Sequence, residues 1–406
     1  MDVKEIANLI AKHKGRMYLV GGAVRDIILG IEPKDYDYCI TGISENEFRS
    51  LFPCAFLRGK DFPVFDVEGI EIALARKERK IREGHNGFIV ETDKSLRIED
   101  DLIRRDITVN SIAIDVLTGE EIDPFCGKED IKNRILRATS EAFIEDPLRV
   151  YRVARFAAQL NFEVDDGTLS LMSSLKNELS SLSAERVFIE FRKALLSKTP
   201  SIFFKVLRQC NCLDIHFKEI FEMIGISQPL KYQPEGDVYN HTMEVVDRCA
   251  LESNDELIRF SALVHDFGKI ATPKEMLPHH FQHEKQGDTY IKAFCKRLKM
   301  PRKYEKVGLT SSNEHMKAGM FDEIRVAKKV DFIVKNAKTI LGLEGLEIIA
   351  NCDKIRNKKI EFHKLGRQML EEVNGNTINL ENLSTQKINE KLRQARIEWL
   401  TKHLAF

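Results

Sequence analysis

Residues 18–42 read YLVGGAVRDIILGIEPKDYDYCITG. A β-rich run, Met17-Tyr18-Leu19-Val20, leads into Gly21-Gly22, and Arg25 and Asp26 follow. Asp35 and Asp37 then sit two apart in a second strand-like run. Side chains in a strand alternate with a period of two, so this spacing predicts both carboxylates on one face. Adjacent carboxylates repel unless a cation lies between them, and such oxygen ligands suit Mg2+ together with substrate phosphates. The glycine pair permits close backbone approach, and the N–H groups of the helix that follows can cradle phosphate. The window as a whole points to a nucleoside triphosphate held over two metals. Taken singly, Gly-Gly is an ordinary turn and Asp-x-Asp an ordinary solvated strand edge.

This run resembles the signature of the class II tRNA nucleotidyltransferases, the CCA-adding enzymes, and their relatives the bacterial poly(A) polymerases. The resemblance implies Asp35 and Asp37 as catalytic Mg2+ ligands, with Gly22 and Arg25 at the nucleotide. Glu71, on a strand-like run in VEGIEIALAR, is the candidate third carboxylate; a solvent-facing strand glutamate is the equal alternative. The segment ARKERKIREGHNGF, with Arg76 and Glu78, looks like the family's flexible loop. Next, Arg104-Arg105-Asp106 and Asn110 match an Arg-Arg-Asp-x-x-x-Asn pattern, with Ser111 where the family often has alanine. If helical, Asp106 and Asn110 share a face. Arg105 offers a triphosphate a planar fork that lysine cannot copy.

Composition bounds the rest. The chain has 406 residues, room for more than one domain, with 63 basic and 63 acidic residues. Zero formal net charge excludes wholesale coating of nucleic acid, so any RNA site must come from local basic patches. Eight scattered cysteines lack metal-finger spacing, and Cys210 and Cys212 read as core and surface thiols. A reduced, cytoplasmic setting fits. The start, MDVKEIANLIAKHKG, reads as an amphipathic helix rather than a signal peptide, and no apolar run approaches membrane-spanning length.

The fold class expected is α+β. An α/β head spans 1–138, with strands at 17–20, 36–40, 63–67, 70–75 and 111–116. A helical neck follows at 139–230, a histidine-bearing helical body at 231–355, and a helical tail at 356–406. Monomer and homodimer both remain open.

The neck opens with Glu145-Asp146-Pro147-Leu148-Arg149, followed by Arg152 and Arg155. Asp before Pro is an ordinary helix start. It leaves unexplained three arginines at three-residue spacing, which form a slanted ridge. The resemblance gives Asp146 and Arg149 the role of selecting the base, and Arg152 and Arg155 that of holding the nucleotide. Cytosine and adenine both present an amine donor beside a ring-nitrogen acceptor, which a carboxylate and a guanidinium complement. Uracil and guanine turn a carbonyl toward the carboxylate and are rejected. The run SAERVFIEFRKAL, with Ser183 as N-cap and Glu185, Arg186 and Glu190, reads as a structural brace.

In the body, His241, the pair His265-Asp266 in LVHDFGKIATP, and Asp353 resemble the HD phosphohydrolase superfamily. His283 and His315 are candidates for a second metal or a phosphate, and His279 and His280 are weaker ones. This implies hydrolysis of a phosphomonoester or cyclic phosphate by metal-activated water. Mixed His/Asp ligation favours Ni2+, Mn2+ or Co2+ over Mg2+. Basic runs at Lys292, Lys296, Arg297, Lys299, Arg302 and Lys303, and at Lys354, Arg356, Lys358 and Lys359, are candidate tRNA contacts or solvated helix faces. The implied activity is addition of CCA to tRNA from CTP and ATP. A-only, CC-only or poly(A) addition, a mainly hydrolytic enzyme, and a tRNA-binding factor are the alternatives.

Overall fold

The computed structural model describes residues 1–58, 64–80, 88–91, 93–229, 235–354, 357–378 and 384–404. Two compact units emerge: residues 1–186 with 202–212, and residues 187–201 with 213–406.

The first unit is built on a seven-stranded mixed sheet. Its strands are β1 (Arg16–Val20), β2 (Asp37–Thr41), β3 (Phe56–Arg58), β4 (Val64–Val67), β5 (Ile70–Leu74), β8 (Ala113–Asp115) and β9 (Glu121–Ile122). The spatial order is β3-β4-β5-β2-β1-β8-β9, and only the β2–β5 pair is parallel. Alternation along β1 sends Met17 and Tyr18 to opposite faces. Met17 packs with Ile6, Ile10, Ile40 and Phe48, while Tyr18 packs with Cys39, Ile98 and Leu102. The Val3–Lys12 helix covers the first face, and a capping box between Asp2 and Glu5 fixes its start.

Two expectations shift. β2 begins at Asp37, so Asp35 lies in the irregular segment before it. The ladder stops there because β1 ends at Val20, opposite Asp37, and turns at Gly21 (φ 75°) into the Gly22–Ile28 helix. Part of the segment expected to be a flexible loop is paired: β6 (Lys77–Lys80) lies antiparallel to β7 (Phe88–Glu91). Residues 81–87 and the side chain of Glu78 fall outside the described residues, as do residues 230–234 at the boundary of neck and body and Arg356 of the basic run.

In the second unit, helices Val238–Glu252, Glu256–Val264, His283–Arg297, Arg302–Gly319 and Gly342–Asp353 surround an aromatic core. Phe294 stacks on Phe260 at 6.2 Å and meets Phe191, Phe217 and Phe267. Each aromatic pair adds roughly 0.5–1.5 kcal/mol beyond its area burial. Cys210 and Cys212, which both belong to the first unit, are both buried, which corrects the expectation of one surface thiol.

A close approach sets the geometry around Asp266. A Cβ on Gly268 would lie 1.8 Å from the His283 carbonyl oxygen and 2.8 Å from the Gly287 nitrogen. Gly268→Ala should therefore force the 267–271 turn away from the His283–Arg297 helix and cost about 3 kcal/mol or more. Calorimetry of the full chain reads this directly, and wild-type stability would disprove the contact.

Candidate active sites

The sheet register brings the first constellation together. Asp37 stands opposite Val20 on one side and Glu71 on the other. Burial raises the Asp37 carboxyl above the usual carboxylate range; Arg105 opposes this, while Glu71 and Asp35 add to it. Glu71 is thus a cross-strand partner of Asp37. Asp35 acts on it through space rather than along one strand. The turn at Gly21 fits between these groups: a Cβ there would sit 3.1 Å from Arg105 Nη1 and 3.7 Å from Asp37 Oδ2. Three carboxylates with one facing guanidinium are an oxygen donor set that suits Mg2+. Among the described residues, the side chains whose ligand atoms all lie within 4.8 Å of one another are elsewhere, in the histidine block.

Arg105 is aimed by Asp101, which accepts from its Nε at 3.2 Å and its Nη2 at 3.0 Å and also pairs with Arg104. Burial works against ionisation of Asp101, but the two guanidinium groups outweigh it and hold the carboxyl at about 2. Sequence reading missed Asp101, although its i+3 and i+4 spacing to the arginines was visible.

A second network runs from the head into the neck. Arg25 Nη1 donates to Asn110 Oδ1 at 2.7 Å, and its Nε and Nη2 donate to Asp26. Asn110 Nδ2 donates to Asp106 Oδ1 at 3.2 Å. Asp106 Oδ2 accepts from Arg152 at 2.8 and 2.7 Å. Asp106 and Asn110 meet as expected, but across a 3-10 turn (Thr108–Asn110), since the Ile98–Leu102 helix ends before Asp106. Burial opposes ionisation of Asp106, and Arg152 and Asn110 still hold it at about 2.

The neck helix runs Arg149–Leu160 and starts later than an Asp146 N-cap would require. Leu148 holds the N-cap position, and Asp146 Oδ1 accepts from its N–H at 3.0 Å. Asp146 Oδ2 accepts from Arg186 at 3.0 Å, so the expected brace acts directly on this carboxylate. Arg149 donates to the carbonyls of Ala142 and Arg104 at 2.7 and 2.6 Å. Arg155 donates to Gln159 at 2.6 Å and lies 3.8 Å from the centroid of the Phe156 ring.

The histidine block gathers residues from five helices. His241 comes from the Val238–Glu252 helix, whose N-cap Asp237 accepts from Asn240 N. His265 and Asp266 close the Glu256–Val264 helix, and Asp353 ends the Gly342–Asp353 helix. His283 and His315 come from the two helices between. His241 Nε2 lies 3.0 Å from Asp353 Oδ1 and 3.7 Å from Asp266 Oδ2. His265 Nε2 lies 3.3 Å from each of those two carboxylates, and His283 Nε2 lies 3.3 Å from Asp266 Oδ1. Two ligand groups result, His241/His265/Asp266/Asp353 and Asp266/His283/His315, with Asp266 common to both.

Backbone carbonyls fix three of the rings. Nδ1 donates to Ala262 O in His265 (2.7 Å), to His280 O in His283 (2.8 Å) and to Ser312 O in His315 (2.9 Å). Each Nε2 therefore faces the centre, the usual way a protein orients a ligating imidazole. In the neutral rings the Nε2 atoms of His283 and His315 are acceptors only, and at 3.2 Å apart they need a cation or a proton between them. His265 Nε2 is fully buried and faces the Asp266 and Asp353 carboxylates, each at 3.3 Å. This donor set fits a divalent transition metal. His279 and His280 stay outside it: His279 stacks on Phe281, and the His280 ring bonds to Thr272 and the Ser227 carbonyl. Lys269, which the sequence left without a role, reaches Asp266 Oδ2 and Gln228 Oε1, both at 2.6 Å.

Some of the basic residues already have partners within the unit. Arg297 grips Glu219, Lys303 pairs with Glu256, and Lys359 pairs with Glu252.

Three stretches of the chain match known families. Residues 17–137 match the Poly A polymerase head domain, 161–224 the probable RNA and SrmB-binding site of polymerase A, and 238–337 the HD domain. A multifunctional CCA protein of Shewanella denitrificans is 44% identical over 327 residues, covering 79% of this chain and 78% of that one. The chain belongs to the multifunctional CCA protein family. A second relative of that name, from Pseudoalteromonas atlantica, is 44% identical over 79% of this chain and 80% of its own. Among solved structures, a CCA-adding enzyme with ATP aligns at 18% identity and TM-score 0.64, covering 98% of this chain and 90% of that chain. The Thermotoga maritima CCA-adding enzyme complexed with tRNA aligns at 19% and TM-score 0.65, covering 98% and 92%. These two carry the fold alone. The head and HD domains of this family imply divalent metal use. No described helix is long and apolar enough to cross a membrane.

The histidine centre makes a pH prediction. Burial opposes protonation of His265, but Asp266 and Asp353 outweigh it and raise its pKa from 6.5 to about 10. Its contribution to the stability of metal-free protein is therefore complete below pH 6.5 and lost as pH rises through about 10. A bound cation must displace that proton. Adding Mn2+ to metal-free chain near neutral pH should release about one proton per chain from this ring. Calorimetry in two buffers of different ionisation heat measures it; binding without proton release would exclude a protonated His265.

Proposed function

We propose that this chain is a tRNA nucleotidyltransferase that adds CCA to tRNA 3′ ends from CTP and ATP, and that it also carries a hydrolytic HD centre. The observation that carries the first half is the register setting Glu71 opposite Asp37, beside Arg105 and the Gly21 turn. Asp35, Asp37 and Glu71 would hold Mg2+, which supplies charge stabilisation at the reacting phosphate and its pyrophosphate leaving group. Gly22 at the helix start and Arg25 lie at the nucleotide. Arg105, Arg152 and Arg155 bind the triphosphate through their N–H groups. Asp146 accepts from the amine of cytosine or adenine, Arg149 donates to the ring nitrogen, and Arg186 holds the carboxylate in place. A tRNA 3′ hydroxyl attacks the α-phosphate, and pyrophosphate leaves.

In functional terms the divisions are a catalytic head at 1–138, a neck at 139–230, an HD body at 231–355 and a tail at 356–406. Basic residues of the body and tail meet tRNA phosphates. The eight free thiols suit a reducing cytoplasmic setting. His241, His265, Asp266 and Asp353, with His283 and His315, would hold Ni2+, Mn2+ or Co2+, which supplies an activated water for phosphoester hydrolysis. Lys269 places a cation at Asp266, where a substrate phosphate would add negative charge.

Incubation with tRNA lacking its 3′ end, with CTP and ATP separately and together, separates full CCA addition from A-only, CC-only and poly(A) addition. Asp35→Asn or Asp37→Asn should lower addition by at least about 10³-fold while tRNA binding persists. Near-normal addition by either variant would remove the two-metal assignment.

Asp146→Ala should raise UTP or GTP incorporation relative to CTP by about tenfold or more. Retained selectivity would reduce Asp146 to a helix-start residue.

Folded His265→Ala should lose hydrolysis of a 2′,3′-cyclic phosphate yet keep addition within a few-fold. Loss of both activities would mean that the centres are not independent.

A further inference from the structure

Phe156 gathers three arginines onto one ring. The guanidinium carbons of Arg155, Arg25 and Arg152 lie 3.8, 5.4 and 5.6 Å from its centroid. Arg152 and Arg155 come from Phe156's own helix, whereas Arg25 comes from Gly22–Ile28. The ring is 7% exposed. Each guanidinium is also held at its edge: Arg25 by Asp26 and Asn110, Arg152 by Asp106, Arg155 by Gln159.

Three like charges converging on one neutral side chain repel, and the ring's negative face offsets part of that cost. An aromatic face is suited to this task. It attracts a guanidinium without accepting from its N–H groups. A further carboxylate, beside Asp26 and Asp106, would add negative charge where an anionic ligand has to bind. A ring also limits the rotamer freedom that a long arginine otherwise loses on binding.

We propose that Phe156 is a positioning residue for nucleotide binding, its ring face holding Arg25, Arg152 and Arg155 in an array that receives the triphosphate of CTP and ATP alike. This rests on the nucleotide-holding role given to those arginines above. The ring serves the part common to both nucleotides, so it sets affinity and leaves base choice to Asp146 and Arg149.

The test is steady-state kinetics of the full chain on tRNA lacking its 3′ end, with CTP and ATP titrated in turn. Phe156→Leu keeps an apolar side chain and removes the ring face. It should raise KM for both nucleotides by about five- to thirtyfold, with kcat within about threefold of wild type. Phe156→Tyr, which retains the ring, should restore most of the affinity. Where Phe156→Leu fails to fold, phenylalanines with increasing fluorine substitution at position 156 keep the shape and drain the ring face, and KM should climb with each fluorine. A flat fluorine series, or wild-type KM in folded Phe156→Leu, overturns the inference. So does a change confined to one nucleotide. Arg152→Ala and Arg155→Ala distinguish the underlying reading. If both leave KM unchanged, the arginines do not hold the nucleotide. If both raise it and the Phe156 series is flat, only the role of the ring fails.

Discussion

The Asp106 carboxylate is the point on which the first unit turns. It is 5% exposed, accepts from Asn110 on one oxygen and from Arg152 on the other, and so ties the end of the sheet region to the neck helix. Asn110 in turn fixes Arg25, at the helix that follows the Gly21 turn. Removing Arg152 would leave this buried carboxylate without its cation, a cost that the partly exposed guanidinium side chain lessens. The arginines of two separate segments are thereby tied to one carboxylate, and the cost of burying Asp106 is met by the same guanidinium that the site needs in position.

Asp266 has the corresponding part in the second unit. Both of its oxygens are committed, one toward His241, His265 and Lys269 and the other toward His283 and His315. Burial opposes its ionisation, yet Lys269 and His265 hold its pKa well below the carboxylate range. The helices that bring these groups together are fixed by packing that has nothing to do with metal: the aromatic cluster around Phe294 and the approach at Gly268 that only a residue without a side chain allows. Rigid support of this kind is what lets ligand atoms stay close despite their mutual repulsion.

The chemistry was more legible in the sequence than its geometry. Residue types at fixed spacing, together with the family resemblance, singled out Asp37, Arg105, Arg149, Arg152, His265 and Asp266 as candidates, because each sits in a short motif. Pairings set by the sheet were not readable. Glu71 meets Asp37 through a parallel register that pairs residues 34 positions apart, and nothing local specifies it. Asp35 was drawn into the strand because its spacing from Asp37 fits a two-residue period. The strand's true start depends on where β1 turns, which is a property of its neighbour. The β6–β7 ladder was hidden for a different reason. Lys77-Glu78-Arg79-Lys80 has neither β-branched residues nor alternation, so pairing there runs against propensity. Asp101 and Lys269 were overlooked because charged residues beside a motif look like surface.

The two constellations also differ in how they bear their own electrostatics. In the head, burial and neighbouring acids raise the Asp37 carboxyl, so the group is unsettled until positive charge beyond Arg105 arrives. Carboxylate oxygen is a hard donor, suited to an ion that keeps water and shares substrate phosphates. In the histidine block the strain lies between nitrogen lone pairs, with His283 and His315 facing each other at 3.2 Å and their outer nitrogens tied to carbonyls. Imidazole is the softer donor, and a ring held from behind cannot turn away from the centre. One chain thus holds two sites whose donors differ in kind, carboxylate oxygen in the head and imidazole nitrogen with carboxylate in the histidine block. The difference follows from which atoms each fold leaves facing inward.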